Sequence, residues 1–164
     1  MKTLYLMRHA KSSWKEPELS DFDRPLNGRG REDAPLVGRY IRKKKIRPEL
    51  LLCSTAERAR QTAALVSQSA GLATETRYDE RIYEADAARL LEVVSQIEEA
   101  AGIVLLVGHN PGLELLLESL TGETHRMPTA ALACVALDVE KWGKVRERAG
   151  RLEWLLGPKE LGDR

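Results

Sequence analysis

Three short apolar runs, at residues 4–7, 50–53 and 103–107, each break off into polar residues and are each followed by a stretch with helical spacing. Runs this short, bounded by polar residues, read as strands buried on both faces. Strand followed by helix, repeated along a chain, requires crossover connections and leads to helices packed on a mostly parallel sheet.

The intervening segments carry their own helix signals. Asn27 is placed to cap a helix within residues 27–45 whose apolar stripe is Ala34, Val37 and Ile41. Ser54-Thr55-Ala56-Glu57 fits a capping box ahead of Ala59, Ala63, Val66 and Ala70. Asp86 precedes Leu90, Val94 and Ile97 in the same way. Asn110 as cap and Pro111 as first residue open a fourth helix along Leu113, Leu116, Leu117 and Leu120, which stops near Gly122. Residues 131–139 and 152–156 read as two further strands, antiparallel or mixed, joined by the polar stretch 140–150. The expected fold is a single α/β domain over residues 1–164: a three-layer α/β/α sandwich, its central sheet mostly parallel, with helices on both faces.

Composition narrows the partners. A net charge of +1 supplies no global field toward nucleic acid or membrane, so any preference for anions must be local. No apolar run reaches membrane-spanning length, and the N-terminal one is broken at once by Arg8-His9, too early for a signal-peptide core. A reducing cytoplasm is therefore expected. Cys53 and Cys134 lie in strand-like runs and read as core filler, and neither CxxC nor HExxH spacing occurs, so no metal site and no cofactor are expected. The basic run at residues 42–45 reads as a solvated helix end.

In open α/β sheets, ligands bind beyond the carboxyl ends of the strands. The three leading strands here end in Arg8-His9, in Ser54-Thr55 leading to Arg58, and in Gly108-His109-Asn110-Pro111. If those strands are neighbours, two histidines and two arginines converge on one rim. Arginine's planar fork holds two phosphate oxygens at once, and a helix N-terminus at Asn110 adds backbone donors. Clustered positive charge also lowers the pKa of a histidine, keeping its imidazole neutral and nucleophilic. Such a pocket suits phosphoryl transfer, which needs mostly positioning and charge stabilisation. His125 falls in a polar loop and reads as surface, while Trp14 either rims the site or covers the core.

These residues resemble the histidine phosphatase superfamily, which shares its fold with the cofactor-dependent phosphoglycerate mutases. Arg8-His9-Ala10 resembles the family's Arg-His-Gly motif, with alanine in the last place. Leu26-Asn27-Gly28-Arg29-Gly30 resembles its Leu-Thr-x-x-Gly segment, and Ser54-Thr55-Ala56-Glu57-Arg58-Ala59-Arg60-Gln61-Thr62 its Ser-x-x-x-Arg-Ala-x-x-Thr segment. Gly108-His109-Asn110-Pro111 is similar to the stretch that holds its second histidine. The resemblance implies that His9 is transiently phosphorylated while Arg8, Arg58 and His109, with Asn110 beside them, hold the phosphoryl oxygens. Many members also carry an acid that protonates the leaving oxygen; here the candidates are Glu80 and Asp79.

The loop Lys11-Ser12-Ser13-Trp14, the segment Asp23-Arg24-Pro25-Leu26 and the direct passage from Tyr83-Glu84 into the third helix look like the SixA-type phosphohistidine phosphatase branch. That branch implies a phosphorylated histidine-phosphotransfer protein as substrate. A small phosphate ester is the alternative substrate, and a non-catalytic phosphate-binding regulatory module is the alternative outside enzymes.

Overall fold

The computed structural model describes residues 1–162. Its strands are β1 (Lys2–Arg8), β2 (Leu50–Cys53), β3 (Thr76–Tyr78), β4 (Ile103–Gly108), β5 (Leu132–Leu137) and β6 (Gly150–Leu156). Together they form one sheet in the order β3-β2-β4-β1-β5-β6. β3, β2, β4 and β1 run parallel, whereas β5 is antiparallel to β1 and β6 antiparallel to β5. The two strands expected in the last third of the chain are thus an antiparallel extension of a parallel core.

Side-chain alternation along the strands assigns the two helical layers. Leu4, Leu6, Leu52, Val104 and Leu106 point into one core, which α3 (Ala87–Ser95) and α4 (Gly112–Thr121) close. Met7, Leu51, Cys53, Leu105 and Val107 point into the other, closed by α1 (Gly28–Lys43) and α2 (Glu57–Ala70). The architecture is the expected α/β/α sandwich. In α4 the stripe Leu113, Leu116, Leu117 and Leu120 is wholly buried, each side chain contributing about 1.5–3 kcal/mol through the surface it removes from water. Both cysteines are free and buried, Cys53 within the second of these cores.

Two of the four helix starts follow the expected caps. The Asn27 side chain accepts from Gly30 N–H, and the Asp86 side chain from Arg89 N–H. The other two differ, and in both cases the site takes the residue. α2 begins at Glu57 without a side-chain cap, because the Ser54 hydroxyl lies against Ala56 N–H and His109 instead. α4 begins at Gly112, after a cis Asn110–Pro111 bond, and Asn110 turns its amide to the Met127 carbonyl at 2.8 Å. The stretch 140–150, polar in sequence, hides one large apolar anchor. Trp142 is fully buried there and donates its indole N–H to Ala101 O. Among the described residues, no helix is long and apolar enough to cross a membrane.

Candidate active site

β2, β4 and β1 are consecutive in the sheet, so their carboxyl ends lie side by side. Arg8 stands opposite Gly108 in register, and Cys53 opposite Val107. The ladder continues one step past the strands, with His9 N–H donating to Gly108 O and Ser54 N–H to Val107 O. This register brings the three polar strand ends together. The His9 and His109 ring centroids are 5.1 Å apart, and both histidines and Arg58 are buried.

Each of these side chains is held from outside the strand that carries it. His9 Nδ1 lies 2.7 Å from the Ala10 carbonyl. A carbonyl only accepts, so Nδ1 carries the proton and the lone pair of the neutral ring is on Nε2. The next backbone N–H, that of Ala10, donates to Thr62 Oγ1, and Thr62 in turn donates to Arg58 O. Buried Thr62 therefore ties the His9 turn to the first turns of α2. Arg8 Nη1 and the Asn110 amide both donate to the Met127 carbonyl, while Glu114 accepts from Met127 N–H. His109 Nε2 is 2.7 Å from Ser54 Oγ.

The electrostatics favour uncharged imidazoles. Burial, reinforced by Arg58, Arg8 and Arg24 and opposed by the Ala10 bond, lowers His9 to about 4. Burial, followed by His9 and Arg58, lowers His109 to about 3. Both rings are neutral at pH 7. Among the described residues, four buried polar atoms of this cluster make no hydrogen bond: Arg8 Nε, Arg58 Nε, His109 Nδ1 and Asn110 Oδ1. The two guanidinium N–H groups are unsatisfied donors, which suits an anion. Asn110 Oδ1 is an acceptor and does not; with its amide on Met127, Asn110 braces a loop where a phosphate ligand was expected.

Three further residues of the site are not at strand ends. Loop 11–27 folds back on itself through a bridge between Ser12 and Leu26, and Ser13 N–H donates to Pro25 O. This carries the short 3-10 turn Asp21–Asp23 over the pocket. Asp21 Oδ2 accepts from Arg58 Nη2 at 3.0 Å and from the Tyr83 hydroxyl at 2.7 Å, while its backbone carbonyl accepts from Arg58 Nη1 at 2.7 Å. Buried Arg24 binds Asp21 Oδ1 and Ser12 Oγ, and Trp14, 76% exposed and off the core, lies on its guanidinium. Asp21, Arg58, Tyr83, His109, Asn110 and Leu115 line one cavity of about 490 Å³. Desolvation opposes the Asp21 charge, but hydrogen bonds from Tyr83 and Arg58 outweigh it and hold the carboxyl at about 2.

The two acids considered from sequence lie elsewhere. Asp79 caps the turn Glu80–Ile82 and is bound to Arg81 Nε and Nη2, which keeps its carboxyl low. Glu80 is exposed and is not in the cavity wall. His125 is half-buried, with Nε2 3.9 Å from Glu123, and does not line the cavity. No group of three or more His, Cys, Asp or Glu that could hold a metal occurs among the described residues.

Residues 4–90 match the family model of the histidine phosphatase superfamily (branch 1). The chain belongs to the histidine phosphatase superfamily. An uncharacterized protein of Mycobacterium tuberculosis is 35% identical to it over 138 residues, 77% of this chain and 84% of that protein. Among solved structures, an Agrobacterium tumefaciens protein assigned as a phosphohistidine phosphatase SixA superposes with a TM-score of 0.82 at 32% identity, over 96% of this chain and 98% of that one. The protein histidine phosphatase SixA in complex with tungstate gives 0.86 at 25% identity, over 98% and 99%. The chain thus has the mutase-like fold of its superfamily and SixA-type structural neighbours. Both support a phosphatase.

Proposed function

We propose that this chain removes the phosphoryl group from phosphohistidine on a protein, carrying it transiently on Nε2 of His9. One observation carries the chemistry. Nδ1–H of His9 is fixed on a backbone carbonyl, which leaves Nε2 with its lone pair beside the positive charge of Arg58 and Arg8, whose Nε–H groups are buried and unpaired. A neutral imidazole attacks phosphorus without first losing a proton, and Arg8, Arg58 and His109 take the charge that builds on the phosphoryl oxygens. Water then hydrolyses the phosphohistidine in a second step. Every group in this scheme belongs to the protein, and no metal enters it.

The choice of substrate rests on proton supply. An alkoxide leaving group needs an acid; of the three carboxyls in the cavity wall, Asp21 is held ionised, while Glu84 and Asp86 are exposed and Asp86 accepts from Arg89 N–H at the start of α3. Asp79 is spent on Arg81, and Glu80 lies outside the wall. Imidazole is a far better leaving group and departs from a P–N bond without such help. The SixA-type neighbours favour the same substrate class.

The test compares kcat/KM on a phosphorylated histidine-phosphotransfer domain with that on a panel of sugar phosphates, for the wild type and for Glu80→Gln. The P–N substrate is expected to dominate and the Glu80 variant to match the wild type. If sugar phosphates win by orders of magnitude and Glu80→Gln cripples them, the enzyme is a phosphomonoesterase. His9→Ala is expected to abolish turnover of an aryl phosphate with the fold intact, and a chelator to leave the wild-type rate unchanged.

A further inference from the structure

A phosphate pocket gains nothing from a carboxylate, yet Asp21 stands in the wall of this one beside Arg58, Tyr83 and His109. It is not there by accident of a loose loop. Its oxygens take hydrogen bonds from Arg24, Arg58 and Tyr83, and its backbone carbonyl takes another from Arg58. Those bonds fall two on each carboxylate oxygen, yet 49% of the side chain remains exposed, so an incoming donor can reach the oxygens and share them. The arginines and the tyrosine that fix it also keep it ionised, so it has no proton to give. What an ionised carboxylate can do at this place is accept a hydrogen bond from a cation.

A phosphorylated imidazole presents that partner. The P–N bond breaks readily when the distal ring nitrogen is protonated, because the ring then leaves as neutral imidazole; without that proton it must leave as imidazolate. Resting on the phosphohistidine reading above, we propose that Asp21 is a specificity-determining residue whose carboxylate accepts the distal N–H of the substrate imidazole and so selects P–N over P–O substrates. In the first step Nε2 of His9 forms its bond to phosphorus as the substrate P–N bond breaks. The electron pair of that bond returns to the leaving nitrogen. The distal nitrogen keeps its proton on Asp21, and no acid is consumed. A sugar phosphate brings neither the cation nor the N–H, and meets only the negative charge.

The experiment measures kcat/KM of the wild type, Asp21→Asn and Asp21→Glu on N-phosphorylimidazole and on p-nitrophenyl phosphate. In Asp21→Asn the ratio of the two is expected to fall roughly 10- to 100-fold, the loss of one charge-assisted hydrogen bond, and Asp21→Glu is expected to recover part of it. A ratio that does not change, or two rates that fall in parallel, would mean that Asp21 acts only through Arg58 and would overturn the proposal. A second arm needs no variant. On 1-phosphoryl-3-methylimidazolium, a cation without the N–H, the wild-type acceleration over spontaneous hydrolysis is expected to be at least about tenfold smaller than on N-phosphorylimidazole; equal acceleration overturns the proposal even if the variants fail to fold. Preference of the wild type for p-nitrophenyl phosphate and sugar phosphates over every P–N substrate would be the separate failure of the functional reading itself.

Discussion

Ser54 Oγ lies 2.7 Å from Nε2 of His109, and it is also the acceptor for Ala56 N–H. The hydroxyl still has its proton and a second lone pair, so its bond to Nε2 runs in either direction with the His109 tautomer; we take the arrangement in which Ser54 donates. The proton of the neutral His109 ring then sits on Nδ1, the buried atom that has no partner among the described residues. In that arrangement Ser54 is expected to make His109 a donor toward a bound phosphoryl group. Ser54→Ala is expected to lower kcat on an aryl phosphate about tenfold, the scale of one neutral hydrogen bond. Ser54→Thr keeps the hydroxyl and is expected to recover most of the rate. ¹⁵N chemical shifts of His109 read the tautomer directly, and an unchanged Nδ1–H in the alanine variant would refute the assignment.

The depressed histidine pKa values set a pH dependence. An unperturbed histidine nucleophile would lose activity below about pH 6.5, whereas His9 at about 4 stays neutral well into the acid range. The rate of phosphoenzyme formation is expected to hold from pH 7 to about pH 5 and to fall toward pH 4. Stability moves the other way. In the unfolded chain these histidines protonate near pH 6.5, while the folded protein refuses those protons until about 4 for His9 and about 3 for His109. Between those limits the unfolded state binds more protons, so unfolding free energy falls as pH falls. Rapid-quench kinetics and urea titrations at pH 7 and pH 5 check both halves. Orthovanadate, as an anion held by the same arginines, is expected to restore part of the stability lost at pH 5.

Arg58 spends Nη1 and Nη2 on Asp21 and keeps Nε buried and unpaired. Only a planar fork can hold a carboxylate on one edge and offer a donor on another. Arg58→Lys is therefore expected to fail nearly as badly as Arg58→Ala, each losing about 10²- to 10³-fold in kcat. A lysine variant with near wild-type kcat would show that charge alone suffices. Either variant removes the Arg58 guanidinium donors from Asp21, and Arg58→Ala removes the positive charge as well, so the Asp21 carboxyl is expected to titrate higher in both and highest in the alanine variant, as ¹³C NMR would report.

What could be read in advance divides along a physical line. β1, β2 and β4 announce themselves because both faces are buried, which forces continuous apolar runs ending where the chain must turn out. β3 is three residues, Thr76-Arg77-Tyr78, paired on one side at the sheet edge, and has no such run to show. Arg8, His9, Arg58 and His109 were legible for the same reason as the strands: each sits at or just beyond a strand end, and topology alone brings them together. Asp21 is 37 residues from Arg58 and 62 from Tyr83, and it meets them through a loop whose path is fixed by its own internal bonds. The stretches Lys11-Ser12-Ser13-Trp14 and Asp23-Arg24-Pro25-Leu26 hinted at that loop, but nothing in a linear pattern told which of its acids would turn inward. Ser54 and Asn110 were misread as caps because a short polar side chain before a helix has the same appearance whether it bonds the helix or the site.

Gly30 couples the helical layer to the turn that follows His9. It lies in the first turn of α1, where an added Cβ would collide with the backbone carbonyl of Lys11, two residues after His9. That carbonyl also accepts from Asn27 N–H at 3.0 Å, while Gly30 N–H donates to the Asn27 side chain, so cap and catalytic loop share one close packing. The obstacle is backbone on both sides, which cannot swing away as a flexible side chain would. Gly30→Ala is expected to cost about 1–3 kcal/mol in unfolding free energy, the range for overpacking a filled site, even though alanine is the better helix former. Because the segment it displaces leads directly from His9, kcat is expected to fall as well, by more than the fraction unfolded explains. Gly28→Ala serves as the control: its Cβ would meet only the end of the Arg31 side chain at 3.8 Å. Equal effects at the two positions, in denaturant titrations and in turnover, would show that helix propensity matters at Gly30 and the approach of Lys11 does not.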